Sequence, residues 1–200
     1  TGFSGLRVIW WERQTVGIMQ SCLNLMIVSF MIDYIYILDI VEDTTVDGPG
    51  LRTSVYSAGC PHRCPGCHNP QSWDICNGKK MSLNEILSVI KSNDFDNVTF
   101  SGGDPFFQPE AFTELARRIK EETSKNIWCY TGYLYEEIVA SARLSLLLPY
   151  IDVLVDGRFV ETQKDTSLFF RGSRNQRLID VPVSLRQDRA VEFVYDPVSV

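Results

Sequence analysis

The sequence lacks an apolar run long enough to cross a lipid bilayer. Its cleanest apolar piece, Leu25 to Ile32, is far shorter than the roughly 20 residues that a membrane-spanning helix needs, and the wider run is interrupted by Asn24, Ser29 and Asp33. A secretory signal peptide is also disfavoured, because the expected first core strand follows almost at once. We therefore predict a cytoplasmic protein with no membrane association.

Positively charged side chains are also fewer than negatively charged ones. The 19 lysines and arginines are outnumbered by 25 aspartates and glutamates, so the formal net charge is −6. This balance argues against a nucleic-acid binder that relies on a general basic surface, and it favours a small molecule or a protein as the partner.

Internal repeats and low-complexity segments are absent too. A chain of 200 residues with 44% hydrophobic content can bury one sizeable core. We predict a single domain over residues 36–200, preceded by a leader, residues 1–35, of uncertain status. Met19, Met26 and Met31 could each be the true start of the chain.

The six cysteines do not have the even spacing of a disulfide framework. Three of them stand within eight residues, from Cys60 to Cys67, with the spacing C-x3-C-x2-C. This usage indicates a reducing compartment, where thiols can hold a metal. Cys22, Cys76 and Cys129 have no partner at such a spacing, and we assign them no catalytic role.

Three clustered thiolates suit an iron–sulfur centre, and the lack of a fourth nearby cysteine would leave one iron of a 4Fe-4S cluster open to a ligand. The alternative from another class is a zinc-stabilised interaction module, which needs a closed set such as Cys3His. His68 directly follows Cys67, and His62 lies inside the short loop from Cys60 to Cys64, so both are awkward fourth ligands. A pure electron-transfer protein is a further alternative, but the cysteine sets of ferredoxins supply a complete ligand shell.

A second motif, Ser101-Gly102-Gly103-Asp104-Pro105, follows the next predicted strand. The two motifs in this order resemble the signature of the radical S-adenosylmethionine enzymes. Further segments are similar to the anaerobic ribonucleotide reductase activating proteins: Asp47-Gly48-Pro49-Gly50-Leu51-Arg52, Cys67-His68-Asn69-Pro70-Gln71-Ser72-Trp73, Trp128-Cys129-Tyr130-Thr131-Gly132-Tyr133, Val155-Asp156-Gly157-Arg158-Phe159 and Arg171-Gly172-Ser173-Arg174-Asn175-Gln176. The similarity runs from about Asp39 to Gln176 and leaves both ends outside it.

The resemblance implies two cofactors, a 4Fe-4S cluster and S-adenosyl-L-methionine. Cys60, Cys64 and Cys67 would be the catalytic residues and the metal ligands, and S-adenosylmethionine would chelate the fourth iron. The ring of His68 would lie along the adenine, and the glycines would admit the methionyl end. The implied cofactor-binding residues are Gly66, Cys67, His68, Gly102, Gly103 and Asp104. For Asp104 we expect a hydrogen bond from the ammonium group, with capping of the following turn as the alternative.

The implied activity is that of a glycyl-radical enzyme activase. A 5′-deoxyadenosyl radical would take a hydrogen atom from a glycine of anaerobic ribonucleoside-triphosphate reductase, with flavodoxin or a thioredoxin-like system as the electron donor. The runner-up is an activator of pyruvate formate-lyase, although such enzymes are usually longer and carry an Asp-Thr-Asn-Gly-like turn where this sequence has Tyr130-Thr131-Gly132.

Four charged residues stand beside glycines near the last predicted strands: Asp156, Arg158, Arg171 and Arg174. They suit the docking of an extended, glycine-bearing segment of the partner. Ordinary solvated charge explains them equally well.

Strand and helix patterns alternate along the chain, which predicts an α/β fold with a parallel sheet. Ser82-x-x-Glu85 is a capping box, and it precedes a helical apolar stripe of Leu83, Ile86, Leu87 and Ile90. Pro109 suits the first turn of the next helix, whose apolar stripe is Phe112, Leu115, Ala116 and Ile119. We predict strands over Tyr36–Val41, Arg52–Ala58, Asn97–Phe100, Asn126–Tyr130 and Tyr150–Val155, a helix over Tyr135–Leu147, and an irregular linker over Trp73–Lys80.

The family resemblance narrows this fold class to a partial (open) β/α barrel of the radical S-adenosylmethionine type. A flat doubly wound sheet is the alternative that local pattern cannot distinguish. In either architecture the cysteine loop, Gly102-Gly103 and Thr131-Gly132 leave the carboxyl ends of strands, where active sites collect.

Overall fold

The protein is described by a computed structural model over residues 33–196. Within that range the chain forms, in order, β1 (Tyr34–Thr44), β2 (Arg52–Ser57), β3 (Lys79–Ser82), α1 (Leu83–Ser92), β4 (Asn97–Gly102), α2 (Pro109–Glu122), β5 (Ile127–Tyr130), α3 (Tyr135–Val139), β6 (Val153–Asp156), β7 (Arg177–Asp180) and α4 (Val181–Gln187). Short 3-10 helices lie between several of them. The predicted leader lies almost wholly outside the described residues, so its status stays a prediction.

The seven strands form one open sheet in the order β3-β1-β2-β4-β5-β6-β7. The central strands β2, β4, β5 and β6 are parallel, whereas β1, β3 and β7 pair antiparallel to their neighbours. The predicted α/β class and the predicted parallel sheet are therefore confirmed for the centre of the sheet. The outer strands run antiparallel, and the sheet does not close into a barrel.

One face of the sheet packs against the helices. Val55, Phe100, Cys129 and Leu154 are side-by-side neighbours on successive strands, and each is fully buried. The ring of Phe100 meets that of Phe112 from α2 at 5.0 Å between centroids. The buried residues of α1 and α2 include the predicted apolar stripes: Leu83, Ile86, Leu87, Ile90, Phe112, Leu115, Ala116 and Ile119.

The opposite face of the sheet carries a second core. Trp128, Val153, Val155 and Leu178 are buried there, and partly buried aromatic residues from the last part of the described chain pack on them: Phe170, Phe193 and Tyr195, together with Tyr130 of β5. Because the sheet has apolar contacts on both faces, its central strands are buried on both sides.

Two sequence predictions about elements were wrong. Lys79 and Lys80 belong to β3 instead of a linker, because they pair with β1 at Ile37 and Tyr36. The predicted helix over Tyr135–Leu147 is split: α3 ends at Val139, and a separate 3-10 helix covers Leu144–Tyr150, with Pro149 inside it. Pro149 has no N–H to donate to the Ser145 carbonyl, which disfavours an α-helix in this second segment. Within residues 33–196, no helix combines the length and the apolar character that crossing a membrane would require.

The predicted capping box at the start of α1 is confirmed. The backbone N–H of Glu85 donates to Ser82 Oγ at 3.2 Å, and the backbone N–H of Ser82 donates to Glu85 Oε2 at 2.9 Å. Each residue therefore satisfies a backbone donor of the other at the helix end.

Replacing Ser82 with alanine is expected to lower the free energy of unfolding by about 1 kcal/mol, because the Glu85 N–H loses its acceptor. Chemical denaturation of both proteins measures the difference. Ser88, an exposed serine inside the same helix, is the matched control. Ser88→Ala is expected to be neutral or slightly stabilising, since alanine has the higher helix propensity. Equal losses in the two variants would contradict the capping role.

Candidate metal centre and cofactor cavity

The loops that carry the sequence motifs meet at one edge of the sheet. Four parallel strands, β2, β4, β5 and β6, end at this edge, as expected for a site built on strand ends. Their loops surround a cavity of about 420 Å³. It is lined by Asp47, Tyr56, Cys60, His62, Cys64, Cys67, His68, Asn69, Ser101, Gly102, Gly103, Tyr130, Thr131, Gly132, Gly157, Phe159, Gly172 and Gln176.

The three motif cysteines all line this cavity, and each is partly exposed. Backbone hydrogen bonds give the loop its shape: Cys67 N–H donates to the Cys64 carbonyl at 3.1 Å, and Cys60 N–H donates to the Trp73 carbonyl at 3.2 Å. Gly66 adopts a φ of +72°, which favours glycine. The loop thus places all three cysteines in the wall of one cavity.

Burial sets the electrostatics of these thiols. It raises the pKa of Cys60 to about 11, although backbone N–H groups of the same loop act in the opposite direction. Burial also raises the pKa of Cys64, against the backbone N–H of Phe159 and the charge of Arg158, which lower it. Asn69 N–H points to Cys67 Sγ at 3.4 Å. Backbone N–H groups that donate to sulfur shift the reduction potential of an iron–sulfur cluster.

The glycine loop after β4 lies directly against the strand that leads to the cysteines. Gly102 has a φ of +91°, and a Cβ there would stand 2.6 Å from the Ser57 backbone nitrogen. A Cβ on Gly103 would stand 2.5 Å from the Gly59 carbonyl oxygen. Backbone therefore packs on backbone between these segments, and both glycines also line the cavity.

Asp104 follows these glycines but is fully buried and is not among the cavity-lining residues. One carboxylate oxygen accepts from the Phe106 N–H at 2.9 Å, which caps the following turn. The other accepts from the Gly132 N–H at 3.0 Å and lies 2.8 Å from His62 Nε2. Thr131 Oγ1 donates to the same carboxylate. Both oxygens thus have protein donors, and the predicted contact with an ammonium group stays a prediction.

Of the remaining predicted cofactor-binding residues, His68 lines the cavity and Gly66 does not. The ring of His68 lies 5.6 Å from the ring of Phe159. A Cβ added to Gly66 would lie 2.9 Å from the carboxyl carbon of Glu161. The sequence pattern alone did not indicate Phe159 as the ring beside His68.

The four charged residues that we associated with docking have different surroundings. Asp156 is fully buried and accepts from the Tyr135 N–H at 2.8 Å and from Arg177. Arg174 is paired with Asp165 at 2.9 Å. Arg158 is exposed. Arg171 donates through Nη1 to the Gln176 carbonyl at 3.3 Å. The structure does not bring these four residues together as one polar surface.

Sequence reasoning missed several residues of the cavity wall. The Tyr56 hydroxyl donates to Asp47, and burial together with this contact raises the pKa of Tyr56. The Asp47 carbonyl accepts from Thr99 Oγ1 at 2.8 Å, and this hydroxyl accepts in turn from Nε of the buried Arg52 at 2.6 Å. The alternation of β2 was the available signal, since it puts Tyr56 on the face opposite to Val55.

Of the cysteines without motif spacing, the two in the described part of the chain stay apart from the cavity. Cys76 is exposed and Cys129 is buried on the helix-covered face, and neither lines the cavity. Among residues 33–196, no group of three or more His, Cys, Asp or Glu side chains is arranged to hold a metal ion. The assignment of Cys60, Cys64 and Cys67 as ligands of a cluster stays a prediction.

Comparison with known proteins gives three kinds of similarity. Residues 46–179 match the family described as the 4Fe-4S single cluster domain. The anaerobic ribonucleoside-triphosphate reductase-activating protein of Vibrio cholerae is 39% identical over 139 residues, which are 66% of this chain and 88% of the relative. The proteins of the same name from Escherichia coli K12 and bacteriophage T4 are 37% and 35% identical over 139 residues, covering 89% and 86% of their lengths.

A solved structure, QueE from Escherichia coli, also resembles this chain. It has a TM-score of 0.45 and 15% sequence identity, and the match covers 52% of this chain and 56% of that one. At this level of similarity we rest no conclusion on it.

Proposed function

Because this chain belongs to the family of the anaerobic ribonucleoside-triphosphate reductase-activating proteins, we propose that it generates a glycyl radical on such a reductase. The observation that carries the proposal is the convergence of Cys60, Cys64 and Cys67 with Gly102 and Gly103 on one cavity. Three thiols and two glycines in the wall of one cavity suit a cluster with an open iron position and a small cofactor beside it.

Although no three such side chains in residues 33–196 are arranged around one metal ion, a 4Fe-4S cluster needs only one thiolate for each iron that the protein holds. The residues present therefore fit both such a cluster and S-adenosylmethionine. The thiols are partly exposed to the cavity, and N–H groups point at their sulfurs. The volume of about 420 Å³ lies within the range of ordinary cofactor sites. When bound, the reduced cluster and S-adenosylmethionine supply a 5′-deoxyadenosyl radical, which takes a hydrogen atom from a glycine of the reductase.

Each part of the site then has a defined task. Cys60, Cys64 and Cys67 hold three irons and leave one coordination position free. Gly102 and Gly103 line the cavity and would present backbone to the methionyl end of the cofactor, while their lack of side chains lets them pack on the backbone of Ser57 and Gly59. His68, next to the ring of Phe159, offers a flat surface for the adenine.

The proposal also covers the fold around the site and the source of the electron. The open sheet corresponds to the partial β/α barrel of the radical S-adenosylmethionine type, a reading that the strand-end position of the cavity supports. The electron comes from a donor such as flavodoxin or a thioredoxin-like system in the cytoplasm. We propose no role for nucleic acid or a membrane.

The test is an anaerobic reconstitution. The protein is loaded with iron and sulfide, mixed with reductant, S-adenosylmethionine and the reductase, and examined by electron paramagnetic resonance. A glycyl radical on the reductase that depends on S-adenosylmethionine is the expected result. Radical formation on pyruvate formate-lyase instead would assign a different partner. Bound zinc without iron and sulfide would contradict the proposal altogether.

A further inference from the structure

His62 is a buried polar ring inside an otherwise exposed loop. Its side chain is only 3% exposed, whereas its neighbours Pro61 and Arg63 are exposed to solvent. Its Nε2 lies 2.8 Å from Asp104 Oδ2. Because a carboxylate can only accept, the imidazole nitrogen is the donor in this hydrogen bond. The cysteine loop thus sends one polar side chain into the protein, midway between Cys60 and Cys64.

The acceptor of this hydrogen bond also holds a third loop. Asp104 follows Gly103, and its carboxylate accepts from Thr131 Oγ1 at 2.9 Å and from the Gly132 N–H at 3.0 Å. One carboxylate therefore joins the loops after β2, β4 and β5.

The space around the imidazole is closely shaped to it. A Cβ on Gly132 would lie 2.3 Å from His62 Cδ2, so only glycine leaves room for the ring at this position. The ring of Tyr133 meets the imidazole edge to face, with 4.5 Å between centroids. The ring is therefore held by a hydrogen bond at one nitrogen and by packing on its carbon side.

We propose that His62 is a positioning residue. Through Asp104 it fixes the segment between Cys60 and Cys64 relative to Gly103 and Gly132. This inference rests on the proposed function, because it concerns the placement of cluster ligands against the loops that receive S-adenosylmethionine. Without the bond to Asp104, the cysteine loop keeps its covalent spacing but loses its fixed distance from the other two loops.

The direct test uses the protein without cofactors, so it does not depend on the proposed function. Hydrogen–deuterium exchange is measured for the amides of residues 60–67 and 131–133. In His62→Ala both segments are expected to exchange roughly tenfold to hundredfold faster, the change expected for loss of a buried hydrogen bond to a charged group. Thermal unfolding of the same sample establishes that the variant is folded.

Matched variants separate the hydrogen bond from general damage to the loop. His68→Ala removes the same side chain a few residues away, and it is expected to leave exchange in residues 131–133 unchanged. Asp104→Ala removes the acceptor from the other partner, and it is expected to accelerate exchange in both segments even if His62→Ala does not fold. His62→Gln retains a donor and is expected to restore slow exchange in large part. Unchanged exchange in folded His62→Ala, or an equal effect of His68→Ala, would overturn the proposal.

A second readout follows the reconstituted enzyme. Because His62 acts on placement, His62→Ala is expected to raise the KM for S-adenosylmethionine about tenfold, with a smaller change in kcat. A fall in kcat with an unchanged KM would overturn the positioning role. If the wild type forms no glycyl radical at all, the proposed function fails, while the exchange experiment still decides whether His62 joins the loops.

Discussion

Alanine at Cys60, Cys64 or Cys67 is expected to abolish glycyl-radical formation and to remove most of the bound iron. All three cysteines line the same cavity. Each would hold a different iron of the cluster, so replacing any one of them leaves that iron without a protein ligand. The loss of activity should exceed the roughly 10–100-fold effects seen when a residue that hydrogen-bonds to a metal ligand is replaced. Iron and sulfide content, the visible spectrum and the radical signal measure the outcome for each variant.

Two further cysteines in the described part of the chain provide the controls. Cys76→Ala is expected to keep full iron content and activity, because this residue is exposed and away from the cavity. Cys129→Ala is expected to keep the cluster but to lose some stability, since a fully buried side chain is shortened beside Phe100. Equal loss of iron in all five variants would refute the ligand assignment.

Alanine at Gly102 is expected to be among the most damaging single changes in the protein. The residue has a φ of +91°, and the new Cβ would meet the backbone of Ser57 at 2.6 Å. The conformational penalty alone is about 1–2 kcal/mol, and a contact with backbone inside the sheet cannot be relieved by a side-chain rotation. We expect a total loss of at least about 4 kcal/mol in the free energy of unfolding, together with loss of cofactor binding.

Gly50 offers a matched control for the conformational part of this effect. It also has a positive φ, +72°, but nothing lies within 4 Å of an added Cβ. Gly50→Ala should therefore show only the conformational penalty, about 1–2 kcal/mol. Thermal or chemical denaturation of both variants gives the comparison. If the two losses are the same, backbone contact with Ser57 does not explain why position 102 is glycine.

Features that depend on neighbours in sequence could be predicted from the sequence. The capping box of Ser82 and Glu85 and the apolar stripe of α1 are set within one helical turn or two, and the structure confirms them. The strand β3 could not be predicted, because Lys79 and Lys80 have no apolar alternation. They are strand residues only because the edge of β1, more than 40 positions earlier, supplies backbone partners.

The same distinction between local patterns and long-range contacts applies to the site. The cysteine spacing and Gly102-Gly103 are local patterns, and the parallel order of the strands explains why they meet. The contact between His62 and Asp104 spans 42 positions, and neither residue carries a local signal for it. Arg171 and Arg174, by contrast, stand close in sequence, yet one binds the Gln176 carbonyl and the other pairs with Asp165. Side-chain partners of this kind are decided by tertiary packing.

The second core has a consequence for how the protein is made. Trp128 lies in a strand at the centre of the sheet, but its face is covered by Phe170 and Phe193, which leave the ribosome much later. Gly172 and Gln176, which complete the cavity wall, belong to the same late part of the chain. A nascent chain that has already paired its central strands therefore exposes an aromatic surface prone to aggregation. Delivery of iron and sulfide to the finished cavity has to follow the synthesis of this last segment.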